Sequence, residues 1–269
     1  MKFSNYHQHS TFSDGKHTPE EIVCSAINFG MENIGFSDHL LAPHEVALGY
    51  NVVTNETLPL YKQELNRLRE KYGDKINLFI GGEADLFSII DLSGFEYVIG
   101  SVHYLEFNGK IYPIDHTKTQ QLEYINDACG GDLLTFAKNY FDAIYQCTKK
   151  HHPDIIGHFD IITKFSVMDE NNSNYQKIAC ESLEKCLKLT NILEVNTGAI
   201  SRGYRSIPYP ADFLLKCAYD LNADIILSSD SHNKDTVCYF FEESVNLLKR
   251  IGFKHITKLT KEGFTKEKI

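Results

Sequence analysis

Short blocks that are apolar at nearly every position recur along the chain. They read N-I-G-F-S at 33–37, L-F-I-G-G-E at 78–83, Y-V-I-G-S-V at 97–102, I-I-G-H at 155–158, I-L-E-V-N at 192–196 and D-I-I-L-S-S at 224–229. Strands apolar on both faces are what a parallel sheet covered on both sides requires. The stretch 5–9, N-Y-H-Q-H, is the first strand of the series. Between these blocks the apolar residues switch to helical spacing. Thr18-Pro19-Glu20-Glu21 opens one helix with an N-cap, a first-turn proline and a capping-box glutamate. Ile22, Val23, Ala26 and Ile27 form its apolar stripe, and Gly30 ends it. Further helices are predicted over 56–72 (Leu60, Leu65 and Leu68 inward), 132–149, 175–189, 210–221 and 236–250, while 40–54 and 104–121 read as long loops. Seven strands alternating with helices predict an α/β fold with a parallel sheet. Two features favour a barrel over an open sheet. No Gly-rich phosphate fingerprint follows any strand, and polar residues close every strand rather than only those at one switch point. No Gly/Ser-rich linker, Pro-rich tract or charge block divides the chain, so residues 1–269 are predicted to form one domain.

The strand ends carry the chemistry. His7 and His9, Asp38 and His39, Glu83, His103, His158, Asn196, and Asp230 with His232 all stand there, and six of the twelve histidines are among them. Barrel sites gather at the C-terminal ends of the strands, with residues drawn from several of them. His7 and His9 lie two apart, so on a strand both rings project from one face and can share an ion. Taken singly, each residue has a plain structural reading: His158 as a hydrogen-bonded core histidine, Asp38 as a helix N-cap. Taken jointly they predict a multinuclear metal site. His, Asp and Glu donors without cysteine suit zinc, manganese or iron rather than a structural thiolate site. His44, His116, His151, His152 and His255 read as surface residues. His17 lies beside the first strand's loop, within reach of the site.

Charge and cysteines narrow the class. The net charge of −9 and the lack of a basic stripe exclude a general nucleic-acid binder. An anionic substrate stays possible, because bound cations would reverse the local field. Two of the five arginines, Arg202 and Arg205, share the loop after the sixth strand. Seven scattered cysteines without a C-x-x-C predict reduced thiols and a cytoplasmic location. No apolar leader opens the chain and no apolar run reaches membrane-spanning length, so no membrane partner is expected.

The motifs Y-H-Q-H-S-T-F-S-D-G, F-S-D-H, G-G-E, G-S-V-H, G-H-F-D, E-V-N-T-G and S-S-D-S-H occur in this order from Tyr6 to His232. Together they resemble the polymerase and histidinol phosphatase (PHP) family. Within it, chain length, the G-S-V-H and G-H-F-D motifs and the arginine loop resemble the histidinol-phosphate phosphatases. The resemblance implies a distorted, TIM-like (β/α)7 barrel holding three divalent ions at the C-terminal strand ends. By motif, His7, His9, Glu83 and Asp230 would hold one ion. Glu83 would bridge to a second, completed by His103 and His158. A third would take His39 and His232. Some family members have a further histidine where this chain has Gly15, which leaves Asp14, or His17 in its place, to complete that third site.

The activity so implied is metal-dependent phosphomonoester hydrolysis: L-histidinol phosphate to L-histidinol and phosphate, in L-histidine biosynthesis. Close cations make hydroxide available at neutral pH to attack phosphorus, and they offset the phosphate charge. Arg202 is the expected phosphate fork and Arg205 the reserve. Asp38, beside His39, is a candidate proton donor to the leaving alkoxide, as is metal-bound water. The acidic balance suits a small substrate bearing an amine and an imidazole. A second reading keeps the site but changes the phosphomonoester to a nucleotide, a nucleic-acid end or a phosphotyrosine. A third is a non-catalytic metal-binding domain.

Overall fold

A computed structural model describes residues 2–47 and 49–269. β1 (Ser4–Asn5) leads to α1 (Pro19–Asn28), whose N-terminus carries the predicted capping box between Thr18 and Glu21. β2 (Asn33–Phe36), the short α2 (Pro43–Ala47), α3 (Leu58–Tyr72), β3 (Asn77–Asp85) and β4 (Tyr97–Ser101) follow. A small antiparallel hairpin, β5 (Tyr104–Phe107) and β6 (Lys110–Pro113), precedes α4 (Lys118–Cys129) and α5 (Leu133–His151). Then come β7 (Ile155–Ile156), α6 (Ser173–Leu187), β8 (Ile192–Asn196), α7 (Gly198–Ser201), α8 (Asp212–Asp220), β9 (Asp224–Ser228) and α9 (Phe241–Ile251). A second hairpin, β10 (His255–Thr260) and β11 (Gly263–Lys268), ends the chain.

The seven expected strands pair in parallel and in sequence order, β1-β2-β3-β4-β7-β8-β9, so the sheet winds in one direction. At its C-terminal rim the sheet closes on itself. Gln8 bridges Ser231 in parallel, and the His9 N–H donates to the Ser231 carbonyl at 2.9 Å. Lower down, the β10–β11 hairpin fills the seam. β10 pairs with β9, and the Tyr6 hydroxyl donates to the Leu259 carbonyl (2.8 Å) and accepts from the Leu259 N–H (3.0 Å). The barrel is thus distorted between its last strand and its first.

Residues two apart on a strand share a face, and the inward faces stack in layers. Tyr6, Phe79, Tyr97, Ile99, Ile155, Ile226 and Leu259 form an apolar floor. On β3, Phe79 belongs to that floor, Gly81 stands above it and Glu83 above Gly81. Two glycines make the floor possible. A side chain at Gly35 or at Gly81 would collide with the Tyr97 ring, which crosses the interior to donate its hydroxyl to the Tyr6 carbonyl (2.5 Å) and the Phe36 carbonyl (3.1 Å). The helices bury their stripes outside the sheet, with α1 and α3 against β2 and β3, and α5, α6, α8 and α9 around the other strands.

The structure corrects the element expectations in four places. Leu60 is 58% exposed, because α3 turns Tyr61, Leu65 and Leu68 inward as one i, i+4, i+7 face. The stretch 104–121 is a hairpin turning at Asn108-Gly109, both at positive φ, followed by the first turn of α4. The stretch 40–54 contains α2. Residues 255–268, unassigned from sequence, form the seam hairpin. All seven cysteines carry free thiols, and among the described residues no helix is long and apolar enough to cross a membrane. The floor gives a test. Gly81→Ala should destabilise the fold by about 1–3 kcal/mol, as overpacked cores do, measured by urea unfolding; unchanged stability would mean that the Tyr97 ring is not pinned there.

Candidate metal centre

β3 carries Glu83 into the middle of the barrel mouth, where it is 1% exposed. Five imidazoles converge on its two oxygens. Oε1 lies 3.0 Å from His158 Nε2, 3.3 Å from His7 Nε2 and 3.4 Å from His103 Nε2. Oε2 lies 3.1 Å from His39 Nδ1 and 3.6 Å from His9 Nε2. Each imidazole arrives just past a strand end, as the alternation of strands and helices demands. Asp230, at φ 47 in the left-handed region, turns the chain after β9. Its Oδ1 lies 3.3 Å from His9 Nε2 and 3.8 Å from His7 Nε2. Asp14 reaches in from the loop after the first strand: 3.1 Å to His232 Nε2, 3.4 Å to His9 Nδ1 and 3.9 Å to His39 Nε2.

These donor atoms form four overlapping groups, each within the span of one ion: His9, Asp14, His39 and His232; His7, Glu83 and His158; His7, His9 and Asp230; and His39, Glu83 and His103. The donor set fits divalent cations. His7 Nε2, His9 Nε2 and Glu83 Oε2 are buried and make no hydrogen bond, although buried polar atoms are nearly always paired. Burial, with His232 and His39 adding to it, takes His9 down to about 3, whereas against burial Glu194 and Glu83 hold His7 well up and Glu83 raises His39 and His103. Burial disfavours the Glu83 charge, but His7, His103 and His39 hold its pKa well below the ordinary range. Asp230 is likewise held low against burial by Arg202 and His7.

A second layer orients the first. Glu194, on β8, is fully buried, with Oε1 2.6 Å from His7 Nδ1 and Oε2 accepting the His158 N–H at 2.7 Å. Asp85 accepts the His103 N–H at 2.7 Å. Sequence reasoning missed both in these roles. The signal for Glu194 was a glutamate inside an otherwise apolar strand, two residues before Asn196.

Other expectations are sorted by the geometry. Arg202 lines the mouth, donating to the Asp230 carbonyl (2.8 Å) and to its Oδ2 (2.9 Å). Arg205 does not reach it. Its guanidinium is committed to Thr163 and Glu170 and stacks over Tyr209, so it is a structural arginine rather than a phosphate reserve. Asp38, the candidate proton donor, is not among the residues that line the cleft. It is 0% exposed, and its oxygens take the Ser10 N–H (2.7 Å) and the hydroxyls of Ser10 (2.9 Å) and Ser13 (2.6 Å), tying down the 10–13 turn. His17 instead accepts the Lys234 N–H (3.3 Å). A side chain at Gly15 would run into the His9 backbone, so this loop has room for no histidine there. His116, expected on the surface, lines the mouth, and His44 packs edge-on against Tyr104.

Above the cluster opens a cleft of about 370 Å³. Glu45, Tyr50, Asn51 and Val52 line it, as do Tyr104, Asp115, His116 and Lys164. Both stretches expected to be long loops therefore border the site. A larger hollow of about 550 Å³ lies at the other end of the barrel, between α3 and the β10–β11 hairpin, and none of the candidate ligands lines it.

The chain is 26% identical over 263 residues to the "Probable histidinol-phosphatase" of Schizosaccharomyces pombe, covering 90% of this chain and 84% of that protein. It is 26% identical to the histidinol-phosphatase of Lactococcus lactis subsp. lactis, covering 100% of this chain and 98% of the relative. The crystal structure of a Lactococcus lactis histidinol phosphate phosphatase, complexed with zinc, L-histidinol and phosphate, superposes with a TM-score of 0.75 at 25% identity, over 98% of this chain and 99% of that one. The family model described as the PHP domain matches residues 5–198, from the first strand through His7, His9, Glu83, His103 and His158 to the end of β8, and the chain belongs to the PHP domain family.

Proposed function

We propose that this protein is a metal-dependent phosphomonoesterase that hydrolyses L-histidinol phosphate to L-histidinol and phosphate, as a step of L-histidine biosynthesis. The observation that carries the reading is the set of buried, unpartnered donor atoms around Glu83, lying open to a cleft of substrate size. The likeness to an enzyme solved with zinc, L-histidinol and phosphate supports the choice of substrate. The whole chain, 1–269, acts as one domain in the cytoplasm, on a small phosphorylated substrate and not on nucleic acid.

In this reading the mouth would hold three divalent ions, of zinc, manganese or iron: His7, His9, Glu83 and Asp230 would hold one, Glu83 with His103 and His158 a second, and His39, His232 and Asp14 a third. Cations held there lower the pKa of water and offset phosphate charge. The chain's own groups supply the rest. Glu194 fixes the His7 ring and the His158 backbone, so the ligands need not reorganise when loaded. Arg202, exposed on one edge of the cleft, offers its guanidinium to a phosphate oxygen. Asp230 holds that guanidinium in place at 2.9 Å.

Purified protein supplied with zinc, manganese or iron should release phosphate from L-histidinol phosphate, and a chelator should abolish the activity until metal is restored. Preference for a nucleotide or a phosphotyrosine in a phosphomonoester panel would overturn the substrate. Glu83→Gln removes the shared charge and should cut turnover by roughly 100-fold or more, beyond the loss typical of an outer-layer change; a near-normal rate would refute the bridging role. Glu194→Gln should weaken metal binding by roughly 10- to 100-fold, read by metal titration. Unaltered affinity would reduce Glu194 to a packing residue.

A further inference from the structure

The cleft has a second half that the metal ligands do not use, and its groups differ in what already neutralises them. Lys164 Nζ donates to the Asp115 carbonyl (2.6 Å) and lies 3.2 Å from its carboxylate, so that pair is balanced. Both ring nitrogens of His116 are occupied, Nδ1 by the Tyr50 hydroxyl (2.9 Å) and Nε2 by that of Tyr104 (3.3 Å). These three rings form a continuous aromatic wall, with centroids 5.0 Å apart for Tyr50 and His116 and 5.4 Å apart for Tyr104 and His116. Glu45 is the exception. It is 3% exposed, its Oε2 is buried without a partner, and among the described residues no ion pair includes it. The histidines nearest in charge, His39 and His103, lie 3.1 and 3.4 Å from Glu83. Burial raises the Glu45 pKa, as expected of a buried carboxyl with no ion pair to hold its charge, and this one lines the cleft.

Resting on the substrate reading above, we infer that Glu45 binds the protonated amine of the substrate and so selects phosphomonoesters that carry a cation beside the ester. L-Histidinol phosphate bears its ammonium on the carbon next to the ester CH2. With the phosphate at the metal cluster, that ammonium stays close to the cluster, within the cleft that Glu45 lines. The imidazole, one bond further out, reaches the aromatic wall, whose ring faces suit an aromatic group. Glu45 is thus a specificity determinant, separate from the groups that act on phosphorus.

The test is a ratio: kcat/KM for L-histidinol phosphate over kcat/KM for its amine-free analogue, 3-(imidazol-4-yl)propyl phosphate, in the metal-loaded protein. The native chain should favour the amine-bearing ester. Glu45→Gln should cut that preference about 10- to 100-fold, the range for losing a hydrogen bond to a charged group, while Glu45→Asp, which keeps the charge, should retain part of it. A preference unchanged in Glu45→Gln would overturn the assignment. So would a native chain that hydrolyses both esters equally well, a measurement that needs no variant to fold. A native chain active on the amine-free ester or other phosphomonoesters but inactive on L-histidinol phosphate would instead overturn the substrate reading itself.

Discussion

A carboxylate with almost no exposure to water sits among five imidazoles at the mouth of this barrel, and much of the surrounding architecture answers to it. Glu83 loses hydration that its neighbours must replace. The imidazoles that do so come from the ends of different strands, His7 and His9 from the first, His39 from the second, His103 from the fourth and His158 from β7. They meet only if the sheet is wound tightly enough to aim all those ends at one point. Winding in turn needs a closed rim, supplied by the Gln8–Ser231 bridge, and a filled floor, supplied by Tyr97 lying against Gly35 and Gly81. The charge at the centre and the glycines beneath it are parts of one constraint.

Much of this could be read along the chain, and the reason is geometric. In a parallel barrel every strand ends at the same rim, so residues far apart in sequence are forced together whenever they share the position just past a strand. The strand blocks, the alternation and the ring of His, Asp and Glu therefore predicted both the seven-stranded barrel and the residues that gather at its mouth. What could not be read depends on contacts that spacing does not encode. Whether Asp38 faces the cleft or the turn beside it is decided by Ser10 and Ser13, which surround it with donors. Whether Arg202 or Arg205 reaches the mouth is decided by Glu170 and Thr163, which hold Arg205 back. Leu60 and Tyr61 differ by one helical position, and packing against the sheet chose the tyrosine. The seam hairpin has strand periodicity, but it follows the last crossover helix, where a seven-strand count has no place for it.

The buried acids of this fold separate by what compensates them. Asp38 is surrounded by hydroxyls and an N–H and Glu194 by an imidazole and an N–H, and both serve structure, while Asp115 is paired with a lysine through one oxygen. Glu83 and Asp230 are compensated only in part, since buried imidazole nitrogens beside them lack any hydrogen-bond partner. Glu45 makes no ion pair among the described residues, and the nearest imidazoles, His39 and His103, face Glu83 instead. Each such incomplete pair weakens the protein by itself, which points to something from outside that completes it. The order of incompleteness then runs outward along the cleft, from donor groups that suit metal ions to a lone carboxylate that suits an organic cation. On this argument the site is graded: its deep end binds by charge density and coordination, its outer end by a single charge and an aromatic face, and a substrate with a phosphate at one end and an ammonium near it matches both.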